Sequence, residues 1–265
     1  MDFRTPVTIT EPSFRIEPLE QILFVGSCFA DNIGQRFVEN KFRATVNPYG
    51  VMYNPVSILH TVMRTSDTFP VAFFTLGTNH VYRLKETGEI VDNCEKRPHH
   101  LFQEETLTVS QCADYLRQAI GLLQSRSDDV EVVLTVSPIR YRKYGYHGSQ
   151  LSKATLLLAA DEVAKMPNVH YFPAYEIVND ELRDYRFYAA DMLHPSEQAV
   201  DYIWERLCET YLSDRARQFL SDWQPVRQAL GHKPFAPESE AYRTFMNKTM
   251  LKVEELRKKY GNFAL

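Results

Sequence analysis

Two short segments of the chain carry the residue types of a nucleophile and its base. Ser27 and Cys28 follow Gly26 at the end of an apolar run. Asp191 and His194 stand three residues apart, and on a tight turn the carboxylate could hold one imidazole nitrogen. The other nitrogen would then be free to accept a proton from a hydroxyl or a thiol. The residue types therefore indicate nucleophilic attack on an acyl group. The alternative for Asp191 is a capping residue in a solvent-facing loop.

The turn at Gly26 allows two interpretations of its serine. A helix that begins there offers unpaired N–H groups and a partial positive charge. Ser27 is either a nucleophile placed in that field or an N-cap, and the cap is the better interpretation of an isolated serine. Cys28 could attack as a thiolate at the same helix terminus. We prefer a small residue packed under the first turn, and we expect Ser27 to be the nucleophile.

Two glycine-containing segments could bind the negative charge that develops on a carbonyl oxygen. Asn79 closes the segment Gly77-Thr78-Asn79, and its amide could donate a hydrogen bond to an oxyanion. Gly50, after Asn47-Pro48-Tyr49, could offer its N–H, as could Ser27. Ordinary turns account equally well for each segment alone. Their order, each at the end of a predicted strand or in the following loop, favours one shared site. Gly77, His80 and Arg140 are candidates for substrate contact, with a structural ion pair as the alternative for Arg140.

The hydrophobic pattern predicts a parallel α/β sheet that positions these segments. Short apolar runs with few charges suit strands that are buried on both faces. These runs cover residues 22–26, 44–46, 71–76, 131–136 and 169–172. Helical patterns alternate with them: Phe29, Ile33 and Phe37; a capping box at Thr108 and Gln111; residues 149–166; and a helix opened by Pro195, with Ala199, Ile203 and Leu207 facing inward. Alternating strands and helices are typical of an α/β domain.

Composition excludes several classes of protein. The 265 residues are 44% hydrophobic and 24% charged, with a net charge of −4, which is ordinary for a globular protein. The absence of a basic stripe argues against nucleic-acid binding. No apolar run is long enough to cross a membrane, and residues 1–20 lack the apolar core of a signal peptide. Four scattered cysteines without a C-x-x-C pair argue against a zinc site or a disulfide framework. We therefore expect a cytoplasmic protein with reduced thiols, no membrane partner and no metal.

The sequence resembles the GSCFA family, which belongs with the SGNH (GDSL-like) hydrolases. The resemblance covers roughly residues 23–204, and its motifs are specific when taken together. They include Gly26-Ser27-Cys28-Phe29-Ala30, Asn47-Pro48-Tyr49-Gly50, Tyr53-Asn54-Pro55, Thr75-Leu76-Gly77-Thr78, Ser137-Pro138-Ile139-Arg140, Ser152-Lys153-Ala154 and Asp191-Met192-Leu193-His194-Pro195. The usual Gly-Asp-Ser is absent, since Gly26 directly precedes Ser27. Tyr141 stands where a histidine is expected after Ser137-Pro138-Ile139-Arg140.

The resemblance implies a three-layer α/β/α sandwich with a central parallel sheet. Residues 1–212 would form this hydrolase-like domain, and residues 213–265 would form a C-terminal helical extension, packed on the domain or joining two copies into a homo-oligomer. It also implies a catalytic set of Ser27, Asp191 and His194, with an oxyanion site built from Ser27, Gly50 and Asn79. It implies no cofactor.

The predicted function is a serine-type ester hydrolase. Its substrate would be a small-molecule or glycan acyl ester, an acetyl group on a sugar being one case suggested by the superfamily. Two alternatives remain open at this stage. An acyltransferase would use the same residues but pass the acyl group to an alcohol. A binding module would keep the pocket without the chemistry, although an intact set of catalytic residues argues against that.

Overall fold

The central sheet of the computed structural model, which describes residues 4–94 and 97–265, has five parallel strands. They are β1 (Gln21–Gly26), β2 (Arg43–Val46), β3 (Val71–Leu76), β7 (Glu131–Val136) and β8 (Val169–Tyr171). Their order across the sheet is β2-β1-β3-β7-β8, and each neighbouring pair is parallel. All five strands predicted from the sequence are confirmed, with ends shifted by one residue at most.

This strand order creates the crevice in which a ligand would bind. Strands β2 and β3 lie on opposite sides of β1. The connection after β1 leads to β2, whereas the connection after β3 leads the other way to β7, so the two connections diverge. Ligands in open parallel sheets bind at such a switch point, outside the carboxyl ends of the strands. Gly26 ends β1 and Leu76 ends β3. The two sequence segments that begin there therefore lie at one edge of the sheet.

Helices cover both faces of the sheet, which gives the three-layer sandwich that was predicted. The helices are α1 (Cys28–Glu39), α2 (Pro55–Arg64), α3 (Val109–Gln124), α4 (Gly145–Val163), the single turn α5 (Ala174–Glu176), α6 (Glu197–Tyr211), α7 (Asp214–Leu230) and α8 (Glu240–Tyr260). Alternate strand residues face opposite layers. Phe24 and Phe73 pack with α1 and α6, while Val25 and Phe74 pack with α2, α3 and α4.

The chain forms three further strands that the sequence patterns did not indicate. They are β4 (His80–Leu84), β5 (Ile90–Val91) and β6 (Phe102–Thr106), and they form a separate antiparallel sheet in the order β5-β4-β6. The hydrophobic pattern also missed α2, although Asn54 and Ser57 form a capping box at its start. Two boundaries differ from expectation. Helix α4 begins at Gly145, and Ser196, not Pro195, leads into α6 as its N-cap.

Helices α7 and α8 pack on the α/β layers. Trp223 of α7 is 1% exposed, and its indole Nε1 donates to the Glu39 carbonyl at the end of α1 over 3.0 Å. Phe219, Val253 and Tyr260 join the same apolar cluster as α1 and α6. Part of the apolar surface of these helices is therefore buried within the chain. Among the described helices, none combines the length and the hydropathy required to span a bilayer.

A polar face of α4 holds the ends of two sheet strands together. Lys153 is 1% exposed and donates from Nζ to the Gly77 carbonyl over 2.6 Å and to the Ser137 carbonyl over 2.8 Å. Those carbonyls directly follow β3 and β7. Ser152, beside it, accepts the Asn79 N–H over 3.0 Å. Because burial disfavours a charged ammonium, the pKa of Lys153 is lowered to about 7.

Truncation of Trp223 tests whether the last two helices share the core of the domain. Trp223→Ala should lower the free energy of unfolding by roughly 3–5 kcal/mol, the usual range for a buried tryptophan. Urea denaturation followed by circular dichroism measures this. Gln224→Ala, at an exposed position of the same helix, is the control. If both variants unfold at the wild-type midpoint, the last two helices are not part of the cooperative core.

Titration of Lys153 predicts how stability depends on pH. Between about pH 7 and the ordinary lysine pKa of about 10.4, Lys153 holds a proton in the unfolded chain that it has lost in the folded protein. The free energy of unfolding should therefore rise with pH in this window, by up to about 1.4 kcal/mol per pH unit from this group. Lys153→Met should remove that contribution from the slope measured by urea denaturation. Lys165 faces solvent, where it pairs with Asp161, and Lys165→Met should retain the Lys153 contribution to the slope. Equal slopes in wild type and Lys153→Met would contradict this assignment.

Candidate active site

The turn between β1 and α1 directs the Ser27 side chain toward the protein interior. Gly26 has a φ of +148°, and a Cβ on it would lie 2.2 Å from the Thr75 carbonyl oxygen, so only glycine fits. Ser27 is fully buried, and its Oγ lies 3.2 Å from the Thr75 Oγ1. The same Oγ accepts the Phe29 N–H over 3.3 Å and caps α1. Ser27 thus has the contacts of an N-cap. Its assignment as nucleophile stays a prediction, and these contacts weigh against it.

Cys28, the first residue of α1, faces a cleft at the edge of the sheet. The cleft has a volume of about 520 Å³, within the range of small-molecule sites. It is lined by Cys28, Tyr53, Ile139, Arg140, Tyr141, Arg142, Lys143, Leu193 and His194. Burial raises the pKa of the Cys28 thiol, although the N–H groups of Cys28 and Phe29 and the charge of Lys153 act in the opposite direction. A half-buried thiol and an imidazole therefore share one cavity.

Asp191 orients His194 as the sequence predicts. The Asp191 Oδ2 lies 2.5 Å from the His194 Nδ1. The other carboxylate oxygen accepts the N–H groups of Leu193 and His194, over 2.9 and 3.0 Å. Together the imidazole contact and these two N–H groups hold the pKa of Asp191 well below its usual range. The carboxylate is therefore ionised at neutral pH, and the pairing leaves the His194 Nε2 as the nitrogen that could accept a proton.

Arg140 braces the turn that carries this pair. Its backbone N–H donates to the Leu193 carbonyl, and its guanidinium donates to the Met192 carbonyl, each over 3.0 Å. Met192 has a φ of +58°, a left-handed conformation that requires support from its surroundings. The Arg140 guanidinium also lies over the Tyr146 ring, 4.3 Å from its centre. Arg140 lines the cleft, as expected of a substrate-binding residue, but the contacts it makes here are structural.

The two residues expected to bind an oxyanion have their donors engaged elsewhere. The Asn79 side chain is buried, and its Nδ2 donates to the Leu107 carbonyl over 2.8 Å. The Gly50 N–H donates to the Asn47 carbonyl over 2.8 Å in an exposed turn. Neither residue is among those that line the cleft beside His194. Their oxyanion roles stay predictions that these contacts do not support.

Gly77 and His80, the other expected substrate contacts, have different places. Gly77 lies against two residues that line the cleft. A Cβ on it would be 2.5 Å from the Tyr141 Oη and 2.9 Å from the Tyr53 carbonyl oxygen. His80 begins β4, stacks on the Tyr144 ring at 3.6 Å between centres and lies 3.3 Å from a Glu104 carboxylate oxygen. His80 is not among the residues that line the cleft beside His194.

The sequence patterns did not indicate Tyr141 as a site residue. Its ring lines the cleft, and its hydroxyl oxygen is buried without a hydrogen-bond partner among the residues that the structure describes. Burial, with the nearby Cys28 thiol, raises the pKa of Tyr141 well above its usual value. The hydroxyl thus keeps its proton and can donate it in a hydrogen bond. The signal in the sequence was the tyrosine itself, at the position where a histidine was expected.

Within residues 4–94 and 97–265, no group of three or more histidine, cysteine or acidic side chains could hold a metal ion. The four cysteines are free, with Cys112 and Cys208 buried and Cys28 and Cys94 half-buried.

Several solved structures of known proteins are distantly similar to this chain. The chain is similar to a member of the lipolytic protein G-D-S-L family from Veillonella parvula DSM 2008, with 14% identity over 72% of this chain and 97% of that one, at a TM-score of 0.48. It is also similar to an acetyl esterase mutant with acetate ion (9% identity, 77% and 99% covered, TM-score 0.44). A carbohydrate esterase family 3 structure from Talaromyces cellulolyticus gives 9% identity, 77% and 99% coverage and a TM-score of 0.41. No curated protein matches this sequence.

Family models give the clearer result. The model described as the GSCFA family matches residues 21–70 and 64–207. A second model, described as the GSCFA domain protein, C-terminal domain, matches residues 223–265, which form the end of α7, α8 and the last residues of the chain. Because the first model spans more than half of the sequence and includes the Gly26–Cys28 turn and the Asp191–His194 pair, this chain belongs to the GSCFA family.

Proposed function

We propose that this protein is a hydrolase of acyl esters in which His194 is the general base. The observation that carries the proposal is the Asp191–His194 pair, held in a cleft that also receives the first turn of α1. A carboxylate that fixes one imidazole nitrogen leaves the other free to activate a nucleophile. The nucleophile would come from the Gly26–Cys28 turn, where the sequence predicts Ser27.

The cleft has the features that acyl transfer requires. The N-terminus of α1 brings the Cys28 N–H and a partial positive charge to its floor. The Tyr141 hydroxyl is a second donor beside it. Negative charge on a carbonyl oxygen appears only as the acyl group is attacked, and donors fixed in advance stabilise that state most. Both kinds of donor support an acyl substrate.

The proposed substrate is a small acyl ester of a sugar or similar alcohol. The cleft volume of about 520 Å³ accommodates a substrate of this size. Tyr53 and Tyr141 form an edge-to-face pair in its wall, with ring centres 6.4 Å apart, and could pack against the alcohol portion. Arg142 and Lys143 add positive charge at the rim. The glycan assignment is supported only by the resemblance to the SGNH hydrolases.

A panel of p-nitrophenyl esters with acyl chains of increasing length, together with acetylated sugars, tests the function. We expect turnover of the short esters by the wild type and none by His194→Gln. Repeating the assay with an added alcohol, and identifying the products, separates hydrolysis from acyl transfer: a new ester would identify a transferase. The protein would be a binding module if it turned over none of these esters and a fluorophosphonate probe did not label it.

Replacement of Asp191 tests the orientation of the base. Asp191→Asn keeps the size of the side chain, but an amide N–H facing the His194 Nδ1 would favour the tautomer with its proton on Nε2. The free nitrogen would then no longer accept a proton, and kcat should fall by about 10⁴-fold, as for a catalytic triad with the same change. Steady-state kinetics on a p-nitrophenyl ester measures this. Asp184→Asn, which keeps a cap on the neighbouring turn, should leave kcat within a few-fold. Equal effects of the two changes would contradict the orienting role.

The pH dependence of kcat/KM tests which group titrates. Since the pKa of Asp191 is held well below its usual range, the carboxylate stays charged on the acid side. The profile of kcat/KM should therefore show no break from this carboxyl group on the acid side. A break at about pH 4, where ordinary carboxyl groups titrate, would show that Asp191 is not held ionised.

A further inference from the structure

We infer that the nucleophile is the Cys28 thiol, that Ser27 is the cap that positions it, and that the Tyr141 hydroxyl binds the developing oxyanion. This inference rests on the proposed acyl-ester function, which it refines by assigning the attacking atom. It is drawn from which side chains the fold turns into the cleft and which it turns away.

The Ser27 side chain is not among those that line the cleft in this arrangement. It is fully buried and lies between the ends of β1 and β3, where its Oγ contacts the Thr75 Oγ1 and the Phe29 N–H. Gly77 lies beside the Ser27 side chain, since a Cβ built on it would be 3.4 Å from the Ser27 Cβ. Attack by Ser27 would require its hydroxyl to leave the Thr75 Oγ1 and to give up the cap of α1.

Cys28 has the position that Ser27 lacks. Its side chain lines the same cleft as His194, and it is the first residue of α1. The N–H groups of Cys28 and Phe29 and the charge of Lys153 act to lower the pKa of the thiol. Burial still raises that pKa overall, so the resting group is a thiol and not a thiolate. A thiol in this state needs a base, and the imidazole in the same cleft is oriented to be one.

Tyr141 supplies the second, independent observation. Its hydroxyl oxygen is buried with no acceptor or donor among the described residues, an arrangement that leaves a polar group unsatisfied. The hydroxyl lies where Gly77 lacks a side chain, 2.5 Å from the position that a Cβ would take. It is also near enough to Cys28 for a thiolate there to raise its pKa. A carbonyl oxygen of a substrate bound at the sulfur would satisfy this hydroxyl.

The reaction balances with these groups and one water. Cys28 Sγ bonds to the acyl carbon while its proton passes to His194, and the carbonyl oxygen takes the negative charge beside Tyr141. The bond to the alcohol oxygen then breaks, and His194 protonates the departing alkoxide. Water attacks the resulting thioester, gives its proton to His194, and the carboxylic acid leaves as the sulfur regains the proton. One ester and one water give one acid and one alcohol, with no change of oxidation state.

Alkylation rates test the thiol–imidazole pair without any ester. Iodoacetamide is added to the full chain, and peptide mass spectrometry follows modification at Cys28 and, as an internal control, at half-buried Cys94. We expect His194→Gln to slow alkylation of Cys28 at least about tenfold, because loss of a base typically costs about 10²–10⁴ in rate. Cys94 should be unaffected. His170→Gln, a matched change at the histidine paired with Glu131, should alter neither rate. A Cys28 rate that is indifferent to His194→Gln would overturn the pairing.

Ester kinetics then assign the attacking atom. Cys28→Ala should abolish turnover of a p-nitrophenyl ester. Ser27→Gly removes the hydroxyl while keeping a residue acceptable at an N-cap, so turnover should fall by far less than in Cys28→Ala. Tyr141→Phe should lower kcat by about 10²–10³ with KM within a few-fold, and should leave the alkylation rate of Cys28 unchanged.

The two failures are distinguishable. If Cys28→Ala keeps turnover and Ser27→Gly loses it, the acyl-ester function stands and the thiol assignment is wrong. If no ester is hydrolysed by the wild type while alkylation of Cys28 still depends on His194, the thiol–imidazole pair stands and the ester substrate is wrong.

Discussion

The close approach of β1 to β3 at Gly26 determines what the site can do. Because no Cβ fits beside the Thr75 carbonyl, the chain passes this point only as glycine. The Ser27 N–H then donates to that same carbonyl over 3.1 Å, and its hydroxyl meets the Thr75 Oγ1. With the serine fixed inward as the cap of α1, the next side chain is directed into the cleft. A single backbone contact therefore directs the Ser27 hydroxyl inward and leaves the Cys28 side chain in the cleft that His194 also lines.

The rest of the site depends on polar groups of α4 and on one arginine. Lys153 binds the carbonyls that follow β3 and β7, and Ser149 accepts the Tyr141 N–H over 3.1 Å. These contacts fix the floor and one wall of the cleft. Arg140 holds the Met192–Leu193 turn, on which the Asp191–His194 pair depends. The positions of His194 and Tyr141 are thus set by polar contacts from the elements around the cleft.

The sheet and the contact between Asp191 and His194 could be predicted from the sequence, because both leave local signals. Continuous apolar runs indicated all five central strands, and the spacing of Asp191 and His194 indicated their contact. The small sheet of β4, β5 and β6 was missed because its strands are short and partly charged, without the apolar runs of the central sheet. The places of Ser27 and Asn79 could not be predicted, since their partners, Thr75 and Leu107, are distant in sequence. The spacing agrees with the proposed thiol nucleophile: in Gly-Asp-Ser the serine stands two residues after glycine, and Cys28 stands two residues after Gly26.

Trapping the acyl-enzyme shows most directly whether the thiol of Cys28 or the hydroxyl of Ser27 attacks the substrate. The protein is mixed with a short p-nitrophenyl ester, quenched in acid within the first turnover and digested for peptide mass spectrometry. We expect an acyl group on Cys28 that neutral hydroxylamine releases, as it should release a thioester. An acyl group on Ser27 that resists neutral hydroxylamine would contradict the thiol assignment.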